Sequence, residues 1–445
     1  MKLSKRLGWV VLLFASSMAQ ADMLAGLKAY EQKKYEEAQQ HFAELLPLGN
    51  ELAAYNLGAM AYQGEGQPQD LTKALAYFML AADLEYKPAV SLLSTLVEQA
   101  TETQLEQSTQ QFEKLKQHVL ITPADLDKSR KVDSPEPLKR KHPEYPLKAA
   151  QKRQFGYVQL RFLVNEEGNV TAIDTLDSYP VNVFETSAIK AVKRWRYAPS
   201  EQKHIMKLRL SYSIGEGIKL PVVEDVVNEL KLWDYAVAGV PQYQLALGTL
   251  WSLVGLQSGN LFTYDSKLPL AAKPDFSIFA HRSPVTADFS DFSDFWGDAT
   301  VRVSEDGLIT EQIKANFEDK SKVTNLVGLK LKGNIESDVY ALSRLSTFSS
   351  KKTVVRAVVK APDSMSDMFW WEQAAKNGSV EAQRVMAAHE SQWEHYLLHK
   401  EDAEVMAWAG TRFILEGQRE YGLQLIEQAI AKNYQPAKEM KKQFM

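Results

Sequence analysis

Apolar and polar residues alternate in the middle of the chain, and the pattern predicts a small β-sheet. Residues 157–164 alternate as a half-buried strand does. Residues 165–168 contain a glycine and have the length of a hairpin turn, after which residues 170–175 return as a second strand. Residues 184–195 repeat apolar positions at helical spacing, and residues 206–214 alternate again. The pattern therefore predicts a three-stranded antiparallel sheet covered by one helix. These two layers are enough to enclose the core of a small domain.

Three blocks in this region resemble the C-terminal domain of the TonB family. They are HPEYP at residues 142–146, GYV at residues 156–158 and RWRYAP at residues 194–199, with Phe184 before the last block. As a set, in this order and spacing, they are specific, and the resemblance covers about residues 135–215. It implies a periplasmic protein-binding domain and not a catalyst.

The resemblance also implies where a partner would bind. In TonB proteins, the last strand and the segment before the Tyr-Pro pair receive a short peptide from an outer-membrane receptor. The corresponding partner-binding residues here are Lys141, His142, Glu144, Tyr145, Lys207, Arg209, Ser211 and Ser213. An exposed strand edge offers unpaired N–H and C=O groups, so strand addition is the predicted mode of binding. The alternative is that the flanking repeats, or the stretch after Gly215, already cover this edge.

The apolar stripe of the predicted helix and the strands facing it predict the core of this domain. The predicted core residues are Phe162, Phe184, Trp195 and Tyr197. Residues 135–220 carry a net charge of +6 in a chain whose formal net charge is −4. A basic module in an otherwise acidic chain indicates an acidic partner or docking against the flanking helices, and a solvated helix face with ordinary strand exteriors would give the same charge. Lys207 and Arg209, on the polar side of the last strand, would favour an acidic peptide.

Helical regions on both sides of this domain carry a repeated pattern. An apolar–alanine–phenylalanine motif at residues 35–42 recurs at residues 71–78, an offset of 36 residues. A spacing of eight residues between alanines occurs in three places: Ala81 to Ala89, Ala374 to Ala382, and Ala429 to Ala437. Such a period belongs to stacked helical hairpins. The order of residues resembles the Sel-like class of tetratricopeptide-type repeats.

The N-terminus has the pattern of a secretory signal peptide. Lys2, Lys5 and Arg6 precede the apolar residues 7–18, and a small-x-small cleavage site ends at Ala21. The apolar stretch would make a helix of about 18 Å, short of the roughly 30 Å hydrocarbon layer of a membrane. We therefore expect cleavage after Ala21 and a mature periplasmic chain that does not span the membrane.

Together these patterns predict an α+β multidomain protein, in which helical-hairpin repeats flank the TonB-like α/β domain and a second β-rich domain. The second domain contains a predicted hairpin turning at residues 305–307 and strands at residues 323–331 and 353–359, and no family is recognised in it. The predicted segments are a signal peptide (1–21), N-terminal repeats (22–120), a linker (121–134), the TonB-like domain (135–220), a helical repeat segment (221–261), the β-rich domain (262–362) and C-terminal repeats (363–445).

Candidate chemistry is sparse. The 445 residues include no cysteine, and the small net charge does not indicate nucleic-acid binding. His395 and His399 lie four residues apart on a predicted helix, but no third ligand or adjacent glutamate completes a zinc site. Asp288, Asp291 and Asp294 lack the glycine and terminal glutamate of a calcium loop. Since catalytic motifs are also missing, the sequence predicts no metal, no cofactor and no enzymatic activity.

Three functions are compatible with these patterns. The leading interpretation is a non-catalytic periplasmic adaptor of the TonB family, linked to envelope transport, whose strand edge and repeat surfaces bind a periplasmic or outer-membrane protein or peptide. The second is an energy transducer for TonB-dependent outer-membrane transport, with an uncleaved N-terminal anchor and the inner-membrane energy-transducing complex as partner. The third is a cell-wall or small-ligand binding protein acting through residues 262–362.

Overall fold

The computed structural model describes residues 23–122, 135–213, 219–280, 282–287, 297–317, 325–347 and 350–445. The predicted signal peptide with Ala21, most of the predicted linker and the three aspartates of residues 288–294 lie outside this part of the chain. The described residues form two compact units. One contains the residues up to 122 together with Lys376–Gly378, and the other contains the remaining residues from 135 onward.

The N-terminal unit is built from helical hairpins. Its helices are α1 (Met23–Glu31), α2 (Tyr35–Leu45), α3 (Glu51–Gln63), α4 (Leu71–Asp83), α5 (Lys87–Val97) and α6 (Glu102–Lys116). Both copies of the alanine–phenylalanine motif are buried: Ala38 and Phe42 on α2, and Ala74 and Phe78 on α4. Gly58 allows α3 to approach α4 closely, because a Cβ at this position would lie 2.8 Å from the Phe78 ring.

The TonB-like region forms a three-stranded antiparallel sheet with a helix on one face. Its elements are β1 (Pro137–Lys139), α7 (Leu147–Gln151), β2 (Gly156–Val164), β3 (Val170–Tyr179), α8 (Glu185–Val192), β4 (Arg196–Tyr197) and β5 (His204–Tyr212). The strand order is β3–β2–β5, and β1 pairs separately with β4. The structure buries Phe162, Phe184, Trp195 and Tyr197 in one core beneath α8.

Three helices follow this sheet: α9 (Leu220–Glu229), α10 (Leu232–Val237) and α11 (Pro241–Ser258). They share a core in which the Trp233 ring contacts both Trp251 and Trp370. The indole N–H groups of Trp251 and Trp370 both donate to the carbonyl oxygen of Ser364, at 3.0 and 2.6 Å. Buried indoles need such an acceptor, so this carbonyl fixes the position of both rings.

The β-rich region contains seven described strands: β6 (Leu261–Asp265), β7 (Thr286–Ala287), β8 (Gly297–Val303), β9 (Ile309–Phe317), β10 (Leu331–Lys332), β11 (Val339–Thr347) and β12 (Ser350–Pro362). The main sheet has the order β6–β12–β11–β8–β9, and β10 pairs with β7. The predicted hairpin is present, with its turn at Gly307.

The predicted strand at residues 323–331 is wrong for most of its described part. Residues 325–330 form a turn and irregular backbone, and only Leu331 lies in a strand. Gly328 has a φ of 91°, which reverses the chain, and Leu326 is fully buried in the core of this region. The apolar run therefore packs as a turn onto the sheet and adds no strand to it.

Six further helices complete the described chain: α12 (Asp367–Lys376), α13 (Val380–Ala387), α14 (Ser391–His399), α15 (Ala403–Leu415), α16 (Arg419–Ala431) and α17 (Gln435–Lys442). No helix in the described ranges is long and apolar enough to cross a membrane.

The three alanine pairs noted in the sequence mark the same helix–turn–helix junction. All six alanines are fully buried: Ala81, Ala89, Ala374, Ala382, Ala429 and Ala437. In each pair, the carbonyl of the first alanine accepts a hydrogen bond from the N–H five residues later, at 2.9, 2.9 and 3.1 Å. The residue before that N–H has a positive φ in each case (Glu85, Gly378 and Asn433). Each junction is thus a left-handed helix cap that turns the chain into the next helix.

Candidate partner-binding edge

The last strand of the TonB-like sheet lies at the edge of that sheet. β5 pairs with β2 along its whole length, from His204 opposite Val164 to Tyr212 opposite Gly156. Within the described part of the chain, no strand pairs with β5 on its other side. Half of its backbone N–H and C=O groups therefore point away from the sheet, where an added strand could bind them.

The second predicted segment, residues 141–145, meets β5 at one end. The ring of Tyr145 packs edge-on against Tyr212, with 5.8 Å between the ring centroids, and against Phe184 at 5.5 Å. The carbonyl of Lys141 accepts a hydrogen bond from the Trp195 indole at 2.9 Å. These contacts hold the segment against the covering helix and the end of β5.

The exposed side chains of this segment are available for a partner. Lys141, His142 and Glu144 are exposed, while the carbonyl of Glu144 accepts a hydrogen bond from the Ser187 hydroxyl. The segment is thus fixed through its backbone and leaves these three side chains in solvent. Ser211 and Ser213, at the same end of β5, are exposed as well.

The side chains of β5 that face α8 are only partly covered. Met206, Leu208 and Leu210 pack against the buried core but keep part of their surface exposed. A strand added beside β5 would cover that remaining apolar surface, so strand addition would gain burial as well as hydrogen bonds.

The other side of β5 is partly occupied by the chain itself, so Arg209 does not offer the free basic side chain that the sequence predicted. The Arg209 guanidinium lies 3.6 Å from the centroid of the Tyr157 ring and donates to the Ser252 hydroxyl. The Ser252 hydroxyl in turn donates to Asp367 at 2.5 Å. Lys207 is exposed, and its ammonium donates to the carbonyl of Ala388. Arg209 therefore serves contacts within the chain, because helices α11 and α12 pack over its end of the strand.

A partly buried acid, Asp177, interacts with Tyr157 and Arg209. The hydroxyl of Tyr157 donates to the carboxylate of Asp177. Burial raises the pKa of Asp177, and the hydrogen bond from Tyr157 and the charge of Arg209 offset part of this effect. Tyr157 thus lies between a partly buried cation on β5 and a partly buried acid on β3.

A second charged cluster attaches the middle of the sheet to the C-terminal helices. Arg161 on β2 donates to Asp174 on β3 at 3.2 Å and to Glu404 on α15 at 3.1 Å, and its side chain is 7% exposed. Its guanidinium lies 4.4 Å from the ring centroid of Trp408. The Trp408 indole donates to Asp174 at 3.2 Å and to the Tyr434 hydroxyl at 3.1 Å. Ion pairs, a cation–π contact and hydrogen bonds therefore meet at one buried guanidinium.

The carboxylates of this cluster are crowded. Burial and the neighbouring Asp174 carboxylate raise the pKa of Glu404 to about 8, and Arg161 offsets part of that shift. Two acids thus share the Arg161 guanidinium, and Arg384 lies 3.9 Å from Glu404 as a second cation.

The sequence pattern did not reveal this second contact face. Alternation along residues 157–164 indicated one buried and one solvated side, yet nearly every residue of β2 is buried. The hairpin register pairs Arg161 with Asp174, which was a usable signal for a cross-strand ion pair. Glu404 lies 243 residues from Arg161 in the chain, and no local pattern connects them.

Metal chemistry finds no support in the described residues. These ranges contain no group of three or more histidine, aspartate or glutamate side chains arranged to hold a metal ion. At the edge of β5, a partner could contact backbone hydrogen-bonding groups, apolar surface and exposed polar side chains.

Comparison with known proteins matches the same part of the chain. Residues 141–214 match the family described as Gram-negative bacterial TonB protein C-terminal. Over 70 residues the chain is 37% identical to Protein TonB of Escherichia coli, which covers 16% of this chain and 29% of that protein. Over 86 residues it is 31% identical to Protein TonB of Klebsiella aerogenes, covering 19% and 35%.

A solved structure is also similar to part of this chain. The solution NMR structure of the Pseudomonas aeruginosa TonB CTD is 24% identical and covers 19% of this chain and 91% of that one, with a TM-score of 0.18. The chain spans about a third of the length of the curated relatives it matches. The family model and the curated relatives support a TonB C-terminal domain at residues 141–214.

Proposed function

We propose that this chain is a non-catalytic periplasmic adaptor that binds an extended segment of another envelope protein by strand addition to β5. The observation that carries the proposal is the position of β5, the last strand of the matched domain, at an edge that no described strand covers. Backbone hydrogen bonds along such an edge supply affinity with little dependence on sequence, and the flanking side chains supply specificity.

Two further features support this binding mode. The partly covered Met206, Leu208 and Leu210 offer apolar contacts to an added strand. The exposed Lys141, His142 and Glu144 lie on the segment that Tyr145 joins to the end of β5. A partner strand would therefore meet a continuous surface of backbone, apolar and polar groups.

The helical hairpins on either side would serve as additional protein-binding surface. We read them as Sel-like repeats on the strength of the repeated alanine junctions. Stacked hairpins form extended surfaces on which a second part of the same partner could bind. Together with the predicted signal peptide, the domain favours a location in the Gram-negative periplasm.

A second candidate function is energy transduction to outer-membrane transport proteins. It is favoured by one observation, the name Protein TonB of the curated relatives that share the matched domain. Transduction would require the N-terminal segment to remain as an anchor and to contact the inner-membrane energy-transducing complex. The mass of the protein recovered from cells separates the two functions, since an adaptor starts at Asp22 and a transducer keeps residues 1–21.

Site-specific photo-crosslinking in intact cells tests strand addition directly. A photoreactive residue replaces Ser213 at the end of β5, and in a second variant it replaces Val181, which is 61% exposed between β3 and α8. Both positions are exposed on the same domain, but only the first adjoins the proposed binding edge.

We expect position 213 to crosslink to one short segment of an outer-membrane or periplasmic protein, identified by mass spectrometry of the crosslinked peptides. Position 181 should give no such product. Equal crosslinking of many unrelated proteins from both positions would contradict a specific binding edge on β5.

A further inference from the structure

The hairpin turn of the β-rich region repeats the hairpin turn of the TonB-type domain. Residues 164–171 read VNEEGNVT and join β2 to β3, whereas residues 303–310 read VSEDGLIT and join β8 to β9. The glycines at the fifth position of these segments, Gly168 and Gly307, have φ angles of 79° and 85°. Since only glycine adopts such angles at little cost, the two turns share their most restrictive residue.

The hydrogen bonds of the two turns also correspond. Asn165 donates its N–H to the carbonyl of Asn169 at 2.9 Å, and Ser304 donates to the carbonyl of Leu308 at 2.9 Å. In return, the side-chain oxygen of Asn165 accepts from the N–H of Asn169 at 2.7 Å, and that of Ser304 accepts from Leu308 at 3.1 Å. An asparagine and a serine thus close the same turn in the same way.

Each turn also accepts a backbone hydrogen bond from a short strand, at the equivalent position. The carbonyl of Gly168 accepts from the N–H of Tyr197 at 2.9 Å, and the carbonyl of Gly307 accepts from the N–H of Leu331 at 2.8 Å. Tyr197 lies in β4, which pairs with β1, and Leu331 lies in β10, which pairs with β7. In both modules, the short strand therefore bonds to the same position of the hairpin turn, the glycine.

The third long strand adds to each hairpin in the same register. Phe162 and Val301 each lie three residues before the residue that starts the turn. Phe162 pairs with Met206 on β5, and Val301 pairs with Tyr340 on β11. The strand orders β3–β2–β5 and β9–β8–β11 are therefore equivalent, strand by strand.

We propose that the described residues between Thr286 and Thr347 form a second copy of the TonB-type module, and that β12 of the same chain fills in this copy the edge that stays open on β5. Among the described residues of the second copy, no helix corresponds to α8, and the buried Leu326 belongs to its core instead. β12 pairs with β11 over eight residue pairs, from Tyr340 opposite Ala357 to Thr347 opposite Ser350. The chain thus carries one open and one closed copy of the same binding edge.

The closed copy shows which kind of strand this edge accepts. Ala357 lies opposite Tyr340 and is buried, and Val355 lies opposite Leu342 and is partly buried in the same core. An added strand therefore places small or branched apolar residues toward the core at every second position. On β5, the equivalents of Tyr340 and Leu342 are Met206 and Leu208, which are partly exposed.

Between these two apolar positions, the added strand has one residue whose charge can be inferred from the residue opposite it. On β12 it is Arg356, which lies opposite Ala341. The equivalent of Ala341 on β5 is the exposed Lys207. Because like charges directly opposite each other destabilise a strand pair, the segment that binds β5 carries an acidic residue there. This ligand class rests on the proposed function, whereas the equivalence of the two modules does not.

Two matched peptides test the inference on the full-length chain. Both carry the β12 sequence of residues 350–360, one unchanged and one with Arg356→Glu. We expect the unmodified chain to bind the R356E peptide about two- to fivefold more tightly than the unchanged one, and a Lys207→Glu chain to reverse this order. Lys190→Glu, an equal charge change at an exposed position on α8, should leave the order as it is. Fluorescence anisotropy of labelled peptides gives the affinities.

Amide hydrogen exchange locates the bound peptide. Amides of β11 should be protected with or without peptide, whereas alternate amides of β5 should gain protection when the peptide binds. An unchanged order of affinity in the Lys207→Glu chain, protection that appears on β11, or no binding of either peptide would overturn the inference. If the peptides fail while position 213 still crosslinks to one segment in cells, the proposed function stands and the equivalence of the edges is wrong.

Discussion

The guanidinium of Arg161 lies 4.4 Å from the ring centroid of Trp408 and connects the central strand of the TonB-type sheet to helix α15. The same guanidinium donates to Asp174 on the sheet and to Glu404 on the helix. One face of the sheet is thus covered by its own helix α8, and the other is attached to the C-terminal helices. Between these two covered faces lies the edge of β5, with which no described strand other than β2 pairs.

Removing the shared cation should destabilise this attachment strongly. Arg161→Ala removes the cation that Asp174 and Glu404 share and leaves Arg384, 3.9 Å from Glu404, as the neighbouring positive charge. Removing one partner of a buried ion pair typically costs about 3–5 kcal/mol. Arg302→Ala is a matched control, because Arg302 also joins two carboxylates from a strand but is 46% exposed. Urea unfolding should show a large drop in midpoint for the first variant and little change for the second. Similar midpoints for both would contradict a stabilising role for the buried cluster.

The same cluster predicts how stability depends on pH. The pKa of Glu404 rises from 4.5 to about 8 on folding, because of burial and the Asp174 carboxylate. The folded protein therefore holds a proton that the unfolded chain has released between these values, so this group's contribution to stability falls as pH rises from about 5 to 8. Glu404→Gln should flatten the dependence of the urea midpoint over this range. An unchanged slope in this variant would show that Glu404 is ionised in the folded protein.

The core beneath α8 predicts a coupling between stability and the binding segment. Trp195 is 4% exposed, and its indole donates to the carbonyl of Lys141. Trp195→Ala should cost about 3–5 kcal/mol and expose the backbone of residues 141–145 to proteases. Trp195→Phe keeps most of the apolar contact and loses only the donor, so a smaller loss of stability with the same local exposure is expected. Resistance of both variants to proteolysis in this segment would mean that the hydrogen bond does not hold it.

The equivalent turns predict equivalent effects of an added methyl group. A Cβ at Gly168 would lie 2.0 Å from the carbonyl oxygen of Tyr197, and one at Gly307 would lie 2.4 Å from that of Leu331. Alanine at Gly259, which has a φ of 72° and no atom within 4 Å of its Cβ, carries only the backbone strain of about 1–2 kcal/mol. Gly168→Ala and Gly307→Ala should both destabilise the chain by more than Gly259→Ala in urea unfolding. If Gly307→Ala does not destabilise the chain more than Gly259→Ala, the second turn is not equivalent to the first.

The local elements of the TonB-type domain follow from its sequence, because strand alternation, the glycine turn and the apolar helix stripe act over short distances. Burial of the second face does not follow, since Arg161 and Arg209 occupy polar positions whose partners lie far along the chain. The sequence pattern also does not reveal the second module. Its hairpin turn has a sequence like that of the first module. The strands differ, because Leu160 and Phe162 of the first module correspond to Ala299 and Val301 of the second. The common fold is therefore recognised from the register of strand pairing in the structure.

The most direct test of strand addition is residue-resolved hydrogen exchange of β5 with its cellular partner bound. The segment that crosslinks to position 213 is synthesised as a peptide and added to the full-length chain. Strand addition predicts that alternate amides between His204 and Tyr212 become protected, since the intervening ones already bond to β2. Protection confined to the helical hairpins, with β5 unchanged, would contradict the central claim.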